Sequence, residues 1–388
     1  MNPRVIPAVA LLAAVAACAW FFLSSDTSRR AATPDSASDS QRTGRTPSAT
    51  QPAAVAEKNH ASENSPDAAG KKPAVNWKRF AALLGGSGGE PPPQATAAEI
   101  EHFIAAHGET AMNLAAAFVH THDRRWLDRA LELFPNNPVV LLAAINAQGS
   151  GATSETDESR PPDAERMALI ERFKTADPNN PVPWLFAAQE LFKAKQTVEA
   201  VAEIRAAIER PAFYSYARER TDAMQRLYED LGLGSLEASV FAEVCLPLPH
   251  MDAAQQSSRS LMELQKIAVQ SGDTAGAEDA IRLTYSLGRM FATPEASRLL
   301  IGELVGVSME NRALAALPPD AQRDYLTVTP AQRIAELQKQ KQTVKDLVAA
   351  SLWLYQSQDE QLFAEYYRRL RSDSEFAALT WLKTQQKK

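Results

Sequence analysis

The feature that most constrains this chain is a segment that occurs twice. Phe134-Pro135-Asn136-Asn137-Pro138-Val139-Val140-Leu141-Leu142-Ala143-Ala144 recurs 43 positions later as Asp177-Pro178-Asn179-Asn180-Pro181-Val182-Pro183-Trp184-Leu185-Phe186-Ala187-Ala188. In both copies a Pro-Asn-Asn-Pro turn leads at once into an apolar, alanine-rich run, the pattern of a helix with a fixed start. A unit repeated in this way exposes an apolar face that its neighbour must cover, so the units have to stack.

Beyond Pro93 the apolar residues recur at spacings of three and four, with no strand-like alternation. The expected fold class is all-α. Helix starts are marked by Thr96-Ala97-Ala98-Glu99, which has the capping-box spacing, and by Thr293-Pro294-Glu295 and Thr329-Pro330, where a cap hydroxyl precedes a first-turn proline. Asp123 and Asp273 are further cap candidates. Pro330 to about Gln356 reads as one long helix, with Ile334, Leu337, Val344, Val348 and Tyr355 along one stripe.

The repeated segment and its continuation resemble the tetratricopeptide repeat, a helix–turn–helix unit of about 34 residues. Trp184, Ala188, Leu191, Ala200, Ile204 and Ala207 stand where that family has Trp, a small residue, Tyr, Ala, Phe and Ala. Ala130, Leu131, Leu133 and Pro135 fit the end of a preceding unit, and the extra residues of the longer offset fall in the polar stretch 149–158. A looser third match runs through Leu261, Leu264, Ala268, Gly272-Asp273, Ala277 and Ile281. The resemblance covers about 125–211, is loose to 316 and ends there. It implies a superhelix of helical hairpins whose first helices line a concave partner groove. At the best-matching unit that groove would present Val182, Leu185, Gln189, Phe192 and Lys193; the competing reading of these five is packing against an adjacent helix.

Ahead of the repeats, Val5 to Leu23 is a run of 19 residues without a charge, long enough at about 1.5 Å per residue to span a bilayer core. It reads as an uncleaved anchor, as a lipoprotein signal ending at Val15-Ala16-Ala17-Cys18, with Cys18 the lipidation candidate, or as a cleaved secretory signal. Residues 24–95 are Ser-, Ala- and Pro-rich, interrupted by an amphipathic segment at 75–84. Such a composition predicts a disordered tether, with a reach on the order of 40 Å. The expected organisation is therefore an anchor at 1–23, a tether at 24–95, a repeat domain at 96–316 and a C-terminal helical cap at 317–388. Phe363, Tyr366, Leu370, Phe376 and Trp381 make the last helices aromatic, as a cap over the end of a solenoid or as an interface for a second copy or a partner.

Composition excludes several classes. With 47 acidic and 41 basic side chains and a formal charge of −6, a surface devoted to nucleic acid is not expected. Two cysteines, Cys18 and Cys245, build no disulfide scaffold. Gly85-Gly86-Ser87-Gly88-Gly89 matches GxSxG but runs into Pro91-Pro92-Pro93, where a nucleophile elbow needs a helix. His120, His122 and Asp123, and His102 with His107, resemble metal clips, yet on a helix residues two apart point about 200° away from each other. Cys245 reads as a buried thiol, and Tyr366-Tyr367-Arg368-Arg369-Leu370-Arg371, bracketed by acids, as a solvated helix face. No catalytic residue, metal ligand or cofactor site is expected. The expected function is a membrane-tethered scaffold that binds a protein or peptide on the exported side of a bacterial membrane. The alternative is an enzyme or small-ligand receptor using a cleft between the repeats and the C-terminal helices, which clustered titratable groups in one concavity would favour.

Overall fold

The computed structural model describes residues 93–149, 161–211, 213–293, 296 and 298–386. The anchor run with Cys18, nearly all of the tether, the 75–84 segment and the loop at 150–160 lie outside them. The described residues form fifteen α-helices and no strand. None of these helices is long and apolar enough to cross a membrane.

The first seven helices form a run of neighbours. Helices α1 (Ala97–His107), α2 (Ala111–Thr121), α3 (Arg124–Leu133), α4 (Pro138–Gly149), α5 (Ala164–Ala176), α6 (Val182–Lys193) and α7 (Thr197–Ile208) each pack against the next. Their starts are fixed locally. The Thr96 hydroxyl accepts from Glu99 N while Glu99 answers Thr96 N, and Asp123 accepts from Arg125 N. The resemblance residues Trp184, Ala188, Leu191, Ala200, Ile204 and Ala207 are all buried. Trp184 is held between two cations, with the Arg210 guanidinium 3.7 Å above its ring and Lys174 Nζ at 5.7 Å.

The two Pro-Asn-Asn-Pro turns are not equivalent. Asn137 Oδ1 accepts from Val139 N at 3.0 Å and Val140 N at 3.4 Å, which caps α4. Its counterpart Asn180 also starts a helix, accepting from Val182 N at 3.2 Å, but it is fully buried and does more. Its Nδ2 donates to Tyr214 O at 2.7 Å and to Asp177 Oδ2 at 2.9 Å, and its Oδ1 accepts from Tyr214 N at 3.3 Å. The Tyr216 hydroxyl donates to the same Asp177 carboxylate. Tyr216 sits at φ 54°, a left-handed conformation that a bulky residue adopts only when its surroundings hold it there.

That turn redirects the chain. The next hairpin, α8 (Ala217–Asp230) and α9 (Ser235–Val244), does not stack on α7; α8 packs on α1 and α2 instead. Asp230 Oδ2 meets His107 Nε2 at 2.9 Å, and His120 lies edge-on to the Tyr228 ring. The stack resumes with α10 (Pro249–Ser271) on α6 and α11 (Thr274–Met290) on α7. Gly272, at φ 77°, and Asp273, which accepts from Gly276 N, form the turn between them. The next helix, α12 (Leu300–Leu314), begins later than Thr293-Pro294 suggests: the Thr293 hydroxyl accepts from Ala296 N, but that turn does not continue into a helix. α12 crosses α11 at Gly288 and Gly306, where a Cβ on either would come within 2.9 Å of the other's carbonyl oxygen.

The C-terminal unit consists of α13 (Pro330–Ser357), α14 (Glu360–Ser372) and α15 (Glu375–Gln385). α13 starts at the expected Thr329 cap and is joined to α12 by Arg333, whose Nε and Nη2 lie 3.0 and 2.9 Å from the buried Glu310 carboxylate. α9 packs on α14, α14 on α15 and α15 on α13, so the contacts run from α2 through α8, α9 and the C-terminal helices back to α12, α10 and α6. Replacing Asn180 by Ala should cost at least about 2 kcal/mol in a denaturant titration, because it strands buried backbone groups of two segments. The same change at Asn137, a helix cap, should cost about 1 kcal/mol.

Candidate functional site

The five residues expected to line a groove lie on a helix that has little open surface. Val182 and Leu185 are fully buried and Gln189 is 6% exposed. Gln189 Nε2 donates to Gln256 Oε1 at 2.8 Å and reaches Asp252 Oδ2 at 3.4 Å, both on α10. Phe192 is half-buried against the same core. Lys193 is exposed, its Nζ 2.9 Å from Glu190 Oε1. Most of this face is thus sealed by α10, and its solvent access is confined to the C-terminal end of α6.

His120 is half-buried against Tyr228, while His102, His107 and His122 are exposed. Burial and the neighbouring His122 hold His120 below the usual imidazole range, while His122 itself ends α2 at φ 55°. Among the described residues no group of three or more His, Cys, Asp and Glu is placed to hold a metal ion. Burial pushes the Cys245 thiol up. Tyr366 and Tyr367 are buried in the C-terminal core, and Arg368 and Arg369 both pair with Glu365 at 2.7 Å, which leaves no aromatic platform for bases.

A small cleft, open at its mouth, lies where four segments meet. The redirected turn and the start of α8 contribute Phe213, Ser215, Arg218 and Thr221. The end of α9 gives Glu243, and the start of α10 gives Leu248, His250 and Met251. Ala296, Arg298 and Leu299 complete it from the segment before α12. Each wall is fixed from behind. Asn180 sets Tyr214 and so the residues on either side of it. Arg298 Nη2 donates to the carbonyls of Leu370 and Arg371 at the end of α14. Glu375 N donates to Arg298 O at 2.8 Å, and Glu375 Oε2 accepts from Leu300 N at 2.8 Å. The C-terminal helices therefore stand directly behind one wall.

The electrostatics of the cleft are unusual for a protein interior. His250 has no exposed surface and neither ring nitrogen has a hydrogen-bond partner. Burial, with a smaller contribution from Arg220, lowers its pKa to about 3, so the ring is neutral. Thr221, 1% exposed, has an unpartnered hydroxyl. Arg220 donates to Pro247 O at 3.0 Å, but its Nη1 is shielded and unpaired, and burial lowers its pKa to about 10. Burial raises Glu243 to about 7 against the pull of Arg371 and Arg298; Glu375 and Asp222 push the same way as burial. Ser215, His250 and Glu243 share the cleft, yet the unpartnered imidazole joins neither of the other two, and a pKa near 3 is too low for a general base at neutral pH.

Comparison of the chain with protein-family models, with curated proteins and with solved structures gives no match. Sequence reasoning assigned none of the cleft residues to a site. They come from four separate segments, and no spacing in the sequence signals their convergence.

Glu243 supplies a check on this electrostatic picture. Its pKa in the fold lies above the ordinary carboxylate value, so the fold favours the protonated form, and stability falls as pH rises from about 4.5 to 7. Glu243→Gln should raise the melting temperature at pH 8 and change it little at pH 4, where the wild-type carboxyl is already neutral in both states.

Proposed function

We propose that this chain is a membrane-tethered helical-repeat adaptor that binds a protein or peptide partner on the exported side of a bacterial membrane. The observation that carries this reading is the burial of all six resemblance residues within one packed hairpin, α6 and α7. Helical hairpins packed through small residues offer extended surface for partners. Since α10 covers most of the α6 face, the partner surface of this reading is the rim where Lys193 is exposed and Val198, at the start of α7, is 78% exposed. Val5 to Leu23 supplies the tether's anchor, and the aromatic C-terminal helices act as the cap.

A second reading, a small-ligand receptor, is favoured by one observation: the cleft between α8, α9, α10 and the segment before α12 holds several polar groups without partners.

The adaptor reading is tested on the full chain in its membrane, with a photo-crosslinking residue at 193 or 198 and a control at the exposed Gln342 of α13. Discrete adducts to one polypeptide are expected at 193 and 198 and none at 342. Equal labelling at all three positions, or a chain that keeps its first 23 residues and remains soluble without detergent, would overturn it. Gln189→Glu should meanwhile lower the melting temperature, because it brings a second carboxylate to Asp252 at a helix seam.

A further inference from the structure

The cleft carries an inference that stands apart from the adaptor reading. An interior polar group without a partner is costly, and native structures rarely tolerate several at one place. Here the Thr221 hydroxyl and both nitrogens of His250 are unpartnered, buried and part of one concavity. A water could satisfy one of them, but the lining of the concavity also holds two guanidiniums against one carboxyl. Arg218 and Arg298 line the cleft, with Arg220 and Arg371 behind; Arg220 Nη1 and Arg371 Nε and Nη2 are shielded and unpaired. Both lining arginines act on the nearby Tyr214 hydroxyl, pulling against the burial and the Glu219 contact that raise it. The single acid among the lining residues is Glu243, with Glu375 and Asp222 near it. No ion pair joins Glu243 to either Arg298 or Arg371 within the described contacts.

We propose that this cleft is a binding site for a compact oxyanion, a carboxylate or a phosphate, held by Arg218, Arg298, the Thr221 hydroxyl and a ring N–H of His250. Two guanidiniums provide the charge, and a hydroxyl and an imidazole provide directed donors. Phe213, Leu248 and Met251 form apolar wall that excludes water and strengthens these interactions. Above about pH 7 Glu243 faces the site as an opposing charge, which sets a limit on affinity there and gives the assignment its sharpest test.

The test uses the full chain in detergent micelles, titrated calorimetrically with sodium acetate and, separately, sodium phosphate, against sodium chloride at matched ionic strength. Saturable binding of acetate alone assigns a carboxylate, and of phosphate alone a phosphate. Thr221→Val keeps the shape of a side chain whose hydroxyl has no partner, and Arg218 is exposed, so Thr221→Val and Arg218→Gln leave the fold intact by circular dichroism. Each should weaken binding about tenfold, the ordinary loss for a hydrogen bond to a charged group. Glu243→Gln should tighten it. The proposal fails if neither anion binds saturably, if both donor variants bind as the wild type does, or if Glu243→Gln weakens binding at pH 8. Because no partner protein enters the titration, loss of the adaptor reading leaves this result unaffected, and the reverse also holds.

Discussion

The Asn180 side chain, buried and bonded through both its oxygen and its nitrogen, ties the turn of the second repeat to the backbone at Tyr214. The path of everything after residue 213 follows from that tie. With Tyr214 held and Tyr216 locked by Asp177 in a left-handed conformation, α8 leaves at an angle that carries it to α1 and α2. The next hairpin position on α6 is left for α10, which takes it. An amide suits this task because its acceptor and its donor are separate atoms with two sites each, so one buried residue can satisfy a carbonyl and two N–H groups together. The same turn sets one wall of the cleft, so the architecture and the candidate site share a cause.

Interior charge is handled in two ways. Some of it is matched: Arg166 and Glu190 meet at 3.0 Å with both side chains buried, Lys174 bridges Glu171 and Glu203, and Arg333 holds the buried Glu310 at 2.9 Å. Such pairs fix the register between helices more than they add stability. Where α8, α9, α10 and the C-terminal helices converge, the match fails. Guanidinium nitrogens of Arg220 and Arg371 are left unpaired, and a carboxylate is held near neutrality.

The helical class and most helix starts were legible in the sequence because their causes are local. Thr96 with Glu99, Thr329 with Gln332, and Asp123 and Asp273 each make the bond that their spacing announces. The pairing of α6 with α7 was legible for the same reason, since apolar period and small residues travel together along one stretch of chain. What was not legible depends on distant partners. The groove residues were identified as one face of one helix, and whether that face is open depends on Asp252 and Gln256, more than sixty positions on. The return of α8 rests on contacts such as His107 with Asp230, 123 residues apart. The cleft combines both difficulties, because its residues have no common spacing and its character comes from bonds that are not made.

The return of α8 to α1 and α2 also alters how such a molecule comes apart. In an open stack of hairpins each unit answers only to its neighbours, and an end can fray while the middle persists. Here the contacts close on themselves: the first helices are braced by α8, α9 is braced by α14, and α14 and α15 lean through α13 on the helices that cover α6. An end that is held on two sides cannot open without releasing both. The consequence is a helical domain that behaves in unfolding as a single cooperative body, with few of the partial states that a linear array allows.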